Sequence, residues 1–196
     1  MRAGTALVVA ATMLFCTTAS AAIIYTEEIG HWILQCDTNN DGKFAFCVTL
    51  VQYGPTTKEL KKQWGTDTIE NYLSWDGADV LGIGWASKDW TVTEDKIYKV
   101  KMKYKDGMSF NFDAKGMKLG ELKGVGFAAP PDKDFLDYLM GKEYYELTIG
   151  KKKLNRMYLT GSRKAITKMM IKANEYAKGE SSDSNKDSFD MKTDSF

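Results

Sequence analysis

Between residues 97 and 104 the chain reads Ile-Tyr-Lys-Val-Lys-Met-Lys-Tyr, with lysines at 99, 101 and 103 alternating with apolar neighbours. A period of two places Val100 and Met102 on one side of an extended strand and the three lysines on the other. Asp106-Gly107 offers a turn into Met108-Ser109-Phe110-Asn111-Phe112-Asp113, which alternates again. The two runs are predicted to pair as an antiparallel hairpin. Strands that are half wet bury one sheet face and leave the other in water, which points to an antiparallel architecture.

Other segments agree. Residues 31–36 and 44–51 are aromatic and β-branched, and they flank Asp37-Thr38-Asn39-Asn40-Asp41-Gly42, a second predicted hairpin. Residues 80–85 read as a strand, and 144–149 with 154–159 form a third hairpin around Gly150-Lys151-Lys152-Lys153. Asp132 is placed to cap a short helix over 133–140, with Phe135, Leu136 and Leu139 on its apolar face and Gly141 as its stop. Ser162 is expected to cap a second helix. There Ala165, Ile166, Met169, Met170, Ala173 and Ala177 recur at helical spacing, with Lys164, Lys168 and Lys172 opposite. Residues 54–78 hold no sustained period and read as a long loop with at most a helical turn. The predicted class is mainly β: an antiparallel β-sandwich-like or barrel-like domain with a short helix and a C-terminal amphipathic helix.

The N-terminus has the pattern of an export signal: Met1-Arg2, an apolar run from Ala3 to Phe15, then Thr17-Thr18-Ala19-Ser20-Ala21-Ala22. Residues 1–21 read as a signal peptide cleaved after Ala21, because the run falls short of the roughly 20 residues that cross a bilayer. Cys16 follows Phe15, which is too large for lipoprotein processing. Beyond Ala22 every apolar stretch is broken within a dozen or so residues by Lys, Asp, Glu or Gly, so no transmembrane segment is expected after signal removal. Residues 22–178 are read as one β-rich domain, and 179–196 as a disordered tail too polar to bury anything. The expected location is periplasmic or secreted.

Lys and Arg number 27 against 26 acids, and loss of Arg2 balances them, which argues against nucleic acid as the main partner. Once Cys16 is removed, Cys36 and Cys47 remain, and in an oxidising compartment they are expected to form a disulfide. A loop of that length closed by a disulfide is stabilised by roughly 3 kcal/mol. The spacing is unlike the close pairs of redox motifs.

Asp37-x-Asn39-x-Asp41-Gly42 matches the first half of a calcium loop, but Val48 stands where the bidentate Glu belongs, so turn geometry is the main reading. No cofactor is expected, with calcium at Asp37, Asn39 and Asp41 as the single candidate. His31 is the sole histidine, which leaves no material for a histidine-based triad. Ser162 lacks the glycine of a Gly-x-Ser-x-Gly elbow. No carboxylate pair stands out, and the chain is read as non-enzymatic. Trp32 and Trp85 sit inside strand runs and are assigned to the core. Trp64, Trp75 and Trp90 are the candidate exposed contacts for a ligand or partner. The lysines at 58, 61, 62 and 151–153 read as solubilising loop charge.

Trp32-x-x-x-Cys36, Cys47 on the next strand, and Tyr158-Leu159-Thr160-Gly161-Ser162-Arg163-Lys164-Ala165-Ile166 leading into a final helix resemble the invasion-associated locus B family of bacterial exported proteins. The resemblance spans roughly residues 29–175. It departs at the end of the final helix, where family members often carry a further cysteine and this chain has Ala173-Asn174. It implies a β-sandwich-like domain in the periplasm or outside the cell, associated with host-cell invasion or envelope interactions and without known catalysis. No site residues carry over from it. The function expected is binding to a protein partner at the envelope or a host surface. The alternative is a carbohydrate-binding domain using the loop tryptophans, with or without calcium.

Overall fold

The computed structural model describes residues 22–53 and 68–179. The proposed signal peptide at 1–21, Trp64, and the tail from 180 onward lie outside the described residues. The elements are β1 (Ile23–Ile29), β2 (Trp32–Thr38), β3 (Phe44–Tyr53), β4 (Ile69–Trp75), β5 (Leu81–Ser87), β6 (Ile97–Tyr104), β7 (Ser109–Leu119), β8 (Leu122–Ala129), α1 (Lys133–Gly141), β9 (Tyr144–Ile149), β10 (Lys152–Tyr158) and α2 (Ser162–Ala177). The strands form one ten-stranded sheet in the order β1-β2-β3-β4-β5-β8-β7-β6-β9-β10. Every pairing is antiparallel.

The sheet is strongly curled. Trp85 on β5 donates its indole N–H to the Tyr145 hydroxyl on β9 at 2.8 Å. Three strands separate β5 from β9, so a flat sheet would hold them about 19 Å apart at about 4.8 Å per strand. Tyr145 in turn donates to Asn71 Oδ1 on β4 at 3.2 Å, and Asn71 Nδ2 donates to the Gly84 carbonyl at 3.0 Å. Burial pushes the Tyr145 phenol well above its ordinary pKa, so it stays a proton donor. The curl stops short of closure: β1 and β10 are the two ends of the strand order. Side chains span part of the gap. Trp32 on β2 donates to the Thr160 carbonyl at 2.9 Å, and Tyr53 on β3 donates to the Tyr158 carbonyl. The architecture is thus barrel-like and open. Both edge strands break register, at Ile23/Tyr25 and at Lys153/Arg156, which blunts the edges against pairing with other chains.

The inner face follows the alternation of each strand. Val100, Met102 and Tyr104 of β6 point inward with Tyr145 and Leu147 of β9. The helices cover the rest. Asp132 caps α1 as predicted, its carboxylate accepting from Phe135 N at 2.8 Å. Phe135 packs edge-on to Phe112, whose ring stacks on Phe127 with centroids 4.1 Å apart. Helix α2 buries Ala165, Ile166, Met169 and Ala173 against β2, β3 and β4. Its outer charges fasten the first strand: Lys168 pairs with Glu27 at 2.6 Å, and Lys172 lies over the Tyr25 ring. Ser162 is not the cap of α2. Gly161 holds that position in the left-handed region (φ 81°), and the buried Ser162 hydroxyl donates to the Leu139 carbonyl at 2.7 Å, joining the two helices.

Three strands, β1, β4 and β8, are not among those expected from the sequence. The region read as a long loop contains β4. Its inward set of Ile69, Asn71, Leu73 and Trp75 includes a polar member, and the outward Tyr72 is apolar, so the alternation is masked. Strand β8 is glycine-rich because its outer face is already occupied. Leu50, Tyr72, Ala86 and Leu119 form a second apolar cluster there, with Met117 packed against it. At Gly126 of β8 an added Cβ would fall 2.6 Å from the Met117 methyl, and on neighbouring β5 the Tyr72 ring lies over Gly84, where an added Cβ would fall 2.1 Å from a ring carbon; the Tyr72 hydroxyl reaches the Met117 sulfur at 2.8 Å.

Tyr145→Phe leaves the Trp85 N–H unpaired and the Asn71 carbonyl without its donor in the interior, and is expected to lower stability by about 1–3 kcal/mol in urea unfolding. Gly84→Ala is expected to cost about 1–3 kcal/mol through overpacking. In a Tyr72→Ala background the Gly84→Ala penalty should shrink clearly, a non-additivity that a double-mutant cycle measures.

Candidate interaction face

Cys36 and Cys47 sit directly opposite each other on β2 and β3 and form a disulfide. Both are fully buried, so this bond serves the framework. Trp32, four residues earlier on the same inner face of β2, is buried with them.

Of the three tryptophans expected to be exposed, the two among the described residues, Trp75 and Trp90, are buried. Trp75, at 5 % exposure, is the last inward residue of β4, and its N–H donates to Asn174 Oδ1 on α2 at 3.2 Å. Trp90, at 7 %, folds into the core from the segment after β5, because an indole brings more apolar area than its Ser, Lys and Asp neighbours keep in water. Its N–H has no hydrogen-bond partner among the described residues.

Two of the three candidate calcium ligands, Asp37 and Asn39, have side chains engaged locally. Gln35 Nε2 donates to both oxygens of Asp37, at 2.9 and 3.0 Å, and burial raises the pKa of this carboxyl against the opposing pull of that bond. Asn39 Oδ1 accepts from the backbone N–H of Asp41 and of Lys43, each at 3.0 Å. That is a side chain closing its own turn.

The outer face of β7, β6, β9 and β10 offers a different surface. Strand β6 sends Lys99, Lys101 and Lys103 outward because Val100 and Met102 point in. Register sets their neighbours: Lys101 lies between Asn111 on β7 and Thr148 on β9, and Lys103 between Ser109 and Glu146. On β10, Lys153 opposes Thr148 and Arg156 opposes Glu146. The residues 151–153, read from sequence as turn charge, thus contribute Lys153 to a sheet face.

Charge on this face is only partly neutralised. Lys99 pairs with Asp113 at 2.6 Å and Lys153 with Glu146 at 3.0 Å. Lys101 and Lys103 have no acidic partner among the described residues. The Arg156 guanidinium lies 4.4 Å over the Tyr144 ring, and Tyr144 neighbours Tyr158, which is 48 % exposed. Chemically the face offers cations, hydroxyl and amide groups, and one open aromatic ring. The lysine alternation of β6 was visible in the sequence. Its junction with Lys153, Arg156 and Tyr158 depends on β9 pairing with β6, which links residues about 50 positions apart in the chain.

Replacing both Cys36 and Cys47 by Ala is expected to lower stability by about 2–4 kcal/mol in urea unfolding. The circular dichroism spectrum of the folded state should be retained, since the ladder between β2 and β3 already sets their register. No family model matches this chain, and neither a curated protein nor a solved structure matches it.

Proposed function

We propose that this chain is an exported, non-catalytic binding protein that engages an anionic partner at the cell envelope or on a host surface through the outer face of β7, β6, β9 and β10. The observation that carries this reading is the group of cations there that internal carboxylates leave unbalanced, Lys101 and Lys103 above all. Clustered charge of one sign raises the local concentration of opposite charge and speeds encounter. The solvated-face reading of such lysines explains their exposure, but not their convergence with Arg156 and an open tyrosine from another hairpin.

Other features support the extracytoplasmic setting. A buried disulfide suits an oxidising compartment. The pattern of residues 1–22 reads as an export signal. No helix among the described residues is long and apolar enough to cross a membrane. The resemblance to the invasion-associated locus B family, through Trp32, Cys36, Cys47 and the segment entering α2, belongs to the same proposal. The carbohydrate reading built on loop tryptophans loses Trp75 and Trp90, which are buried.

Purified protein lacking residues 1–21 should be retained on envelope preparations and whole cells. Raising salt from about 0.1 M to 1 M shrinks the Debye length from about 10 to about 3 Å and should release it. The Lys101→Glu/Lys103→Glu variant should bind at least about tenfold more weakly, because like charges then face each other. Retention by that variant equal to the parent, with matching thermal melts, would remove the proposed face.

A further inference from the structure

We propose that the ligand of the basic face is a linear acidic polysaccharide, an inference that rests on the reading of that face as a binding surface. Successive outward lysines of β6 lie two residues apart, about 6.8 Å at the rise of an antiparallel strand. Lys101 and Lys103, with Lys99 paired to Asp113 at the end of the same row, therefore line up along the strand rather than forming a pocket around one point charge. A row fits an anion repeated along a chain.

The flanking groups fit sugars in particular. Asn111 and Thr148 stand on either side of Lys101, supplying an amide and a hydroxyl where saccharide hydroxyls would lie beside an acidic group. Tyr158, 48 % exposed, presents a ring against which the apolar face of a sugar can pack. Its neighbour Tyr144 is held under Arg156, so the aromatic pair is braced before a ligand arrives. Preorganisation of this kind lowers the ordering cost of binding.

An anionic membrane fits less well. Of the exposed aliphatic side chains, Ile97 at 55 % starts β6, and Met108 at 44 % sits in the turn beyond the strand's far end. They are separated by the full length of β6 and form no continuous apolar patch to enter the headgroup boundary. An acidic polypeptide such as poly-glutamate would find the same cations but has no apolar ring face to set on Tyr158.

The test is biolayer interferometry on the chain without residues 1–21, using polygalacturonate and heparin, with dextran, poly-glutamate and phosphatidylglycerol vesicles as comparators. Binding to at least one acidic polysaccharide is expected, with none to dextran. Lys101→Gln/Lys103→Gln should raise the Kd by about tenfold or more. Tyr158→Ala should raise it several-fold for the polysaccharide while leaving poly-glutamate binding unchanged. Vesicles or poly-glutamate bound as tightly as the polysaccharides, or a Tyr158→Ala variant with unchanged polysaccharide affinity, would overturn the proposal. If both polysaccharides fail while envelope retention still depends on Lys101 and Lys103, the polysaccharide is wrong and the binding face stands. If neither depends on those lysines, the underlying reading falls as well.

Discussion

The hydrogen-bonded set Trp85, Tyr145 and Asn71 holds the two halves of the sheet together. Each member comes from a different strand, and all three are buried. Polar groups in an apolar interior are costly unless matched, so the set is satisfied only at one degree of curl. A flatter sheet would separate β5 from β9 and leave an indole N–H and a phenol without partners. The inner core, the placement of α1 and α2, and the direction in which the lysines of β6 face outward all follow from that curl.

The outer face divides into two parts with different physics. Over β3, β4, β5 and the ends of β7 and β8, apolar side chains and glycines interlock, and Tyr72 lies where glycine leaves room for it. Over β6, β9, β10 and the near half of β7, the same face carries lysines, an arginine and tyrosines. The first region is filled by the protein itself. The second presents charge that nothing internal fully neutralises, and it is this contrast that singles it out as a surface for something else.

Legibility in the sequence followed how cleanly each strand separates its two faces. Strand β6 was plain, since its lysines face water and Val100 and Met102 face the core. The same held for α1, with its Asp132 cap, and for the hairpin that joins Cys36 to Cys47. Strand β4 was hidden because Asn71 is an inward polar residue, needed for the hydrogen-bonded set, and Tyr72 is an outward apolar one. Strand β8 was hidden because Gly124 and Gly126 leave space for side chains of other strands rather than marking turns. The candidate face was legible only in part: Lys99, Lys101 and Lys103 could be assigned to one side of a strand, but no local pattern announces that β9 adds itself beside β6. Trp75 and Trp90 misled because neighbouring polar residues suggested loops, whereas the bulk of an indole draws it inward.

The fastening of β1 to α2 has a consequence for the order in which the molecule is completed. The inner sides of β2, β3 and β4 are covered by Ile166, Met169 and Ala173, and Glu27 finds its cation on Lys168. Those strands are made first and their cover is made last. Any process that delivers the chain from its N-terminus therefore leaves an apolar sheet surface open until the final helix arrives, a long-range closure of the slow kind. In the finished fold the last described helix lies as a latch over strands of which the first, bonded through Cys36–Cys47, stand well over a hundred residues earlier in the chain.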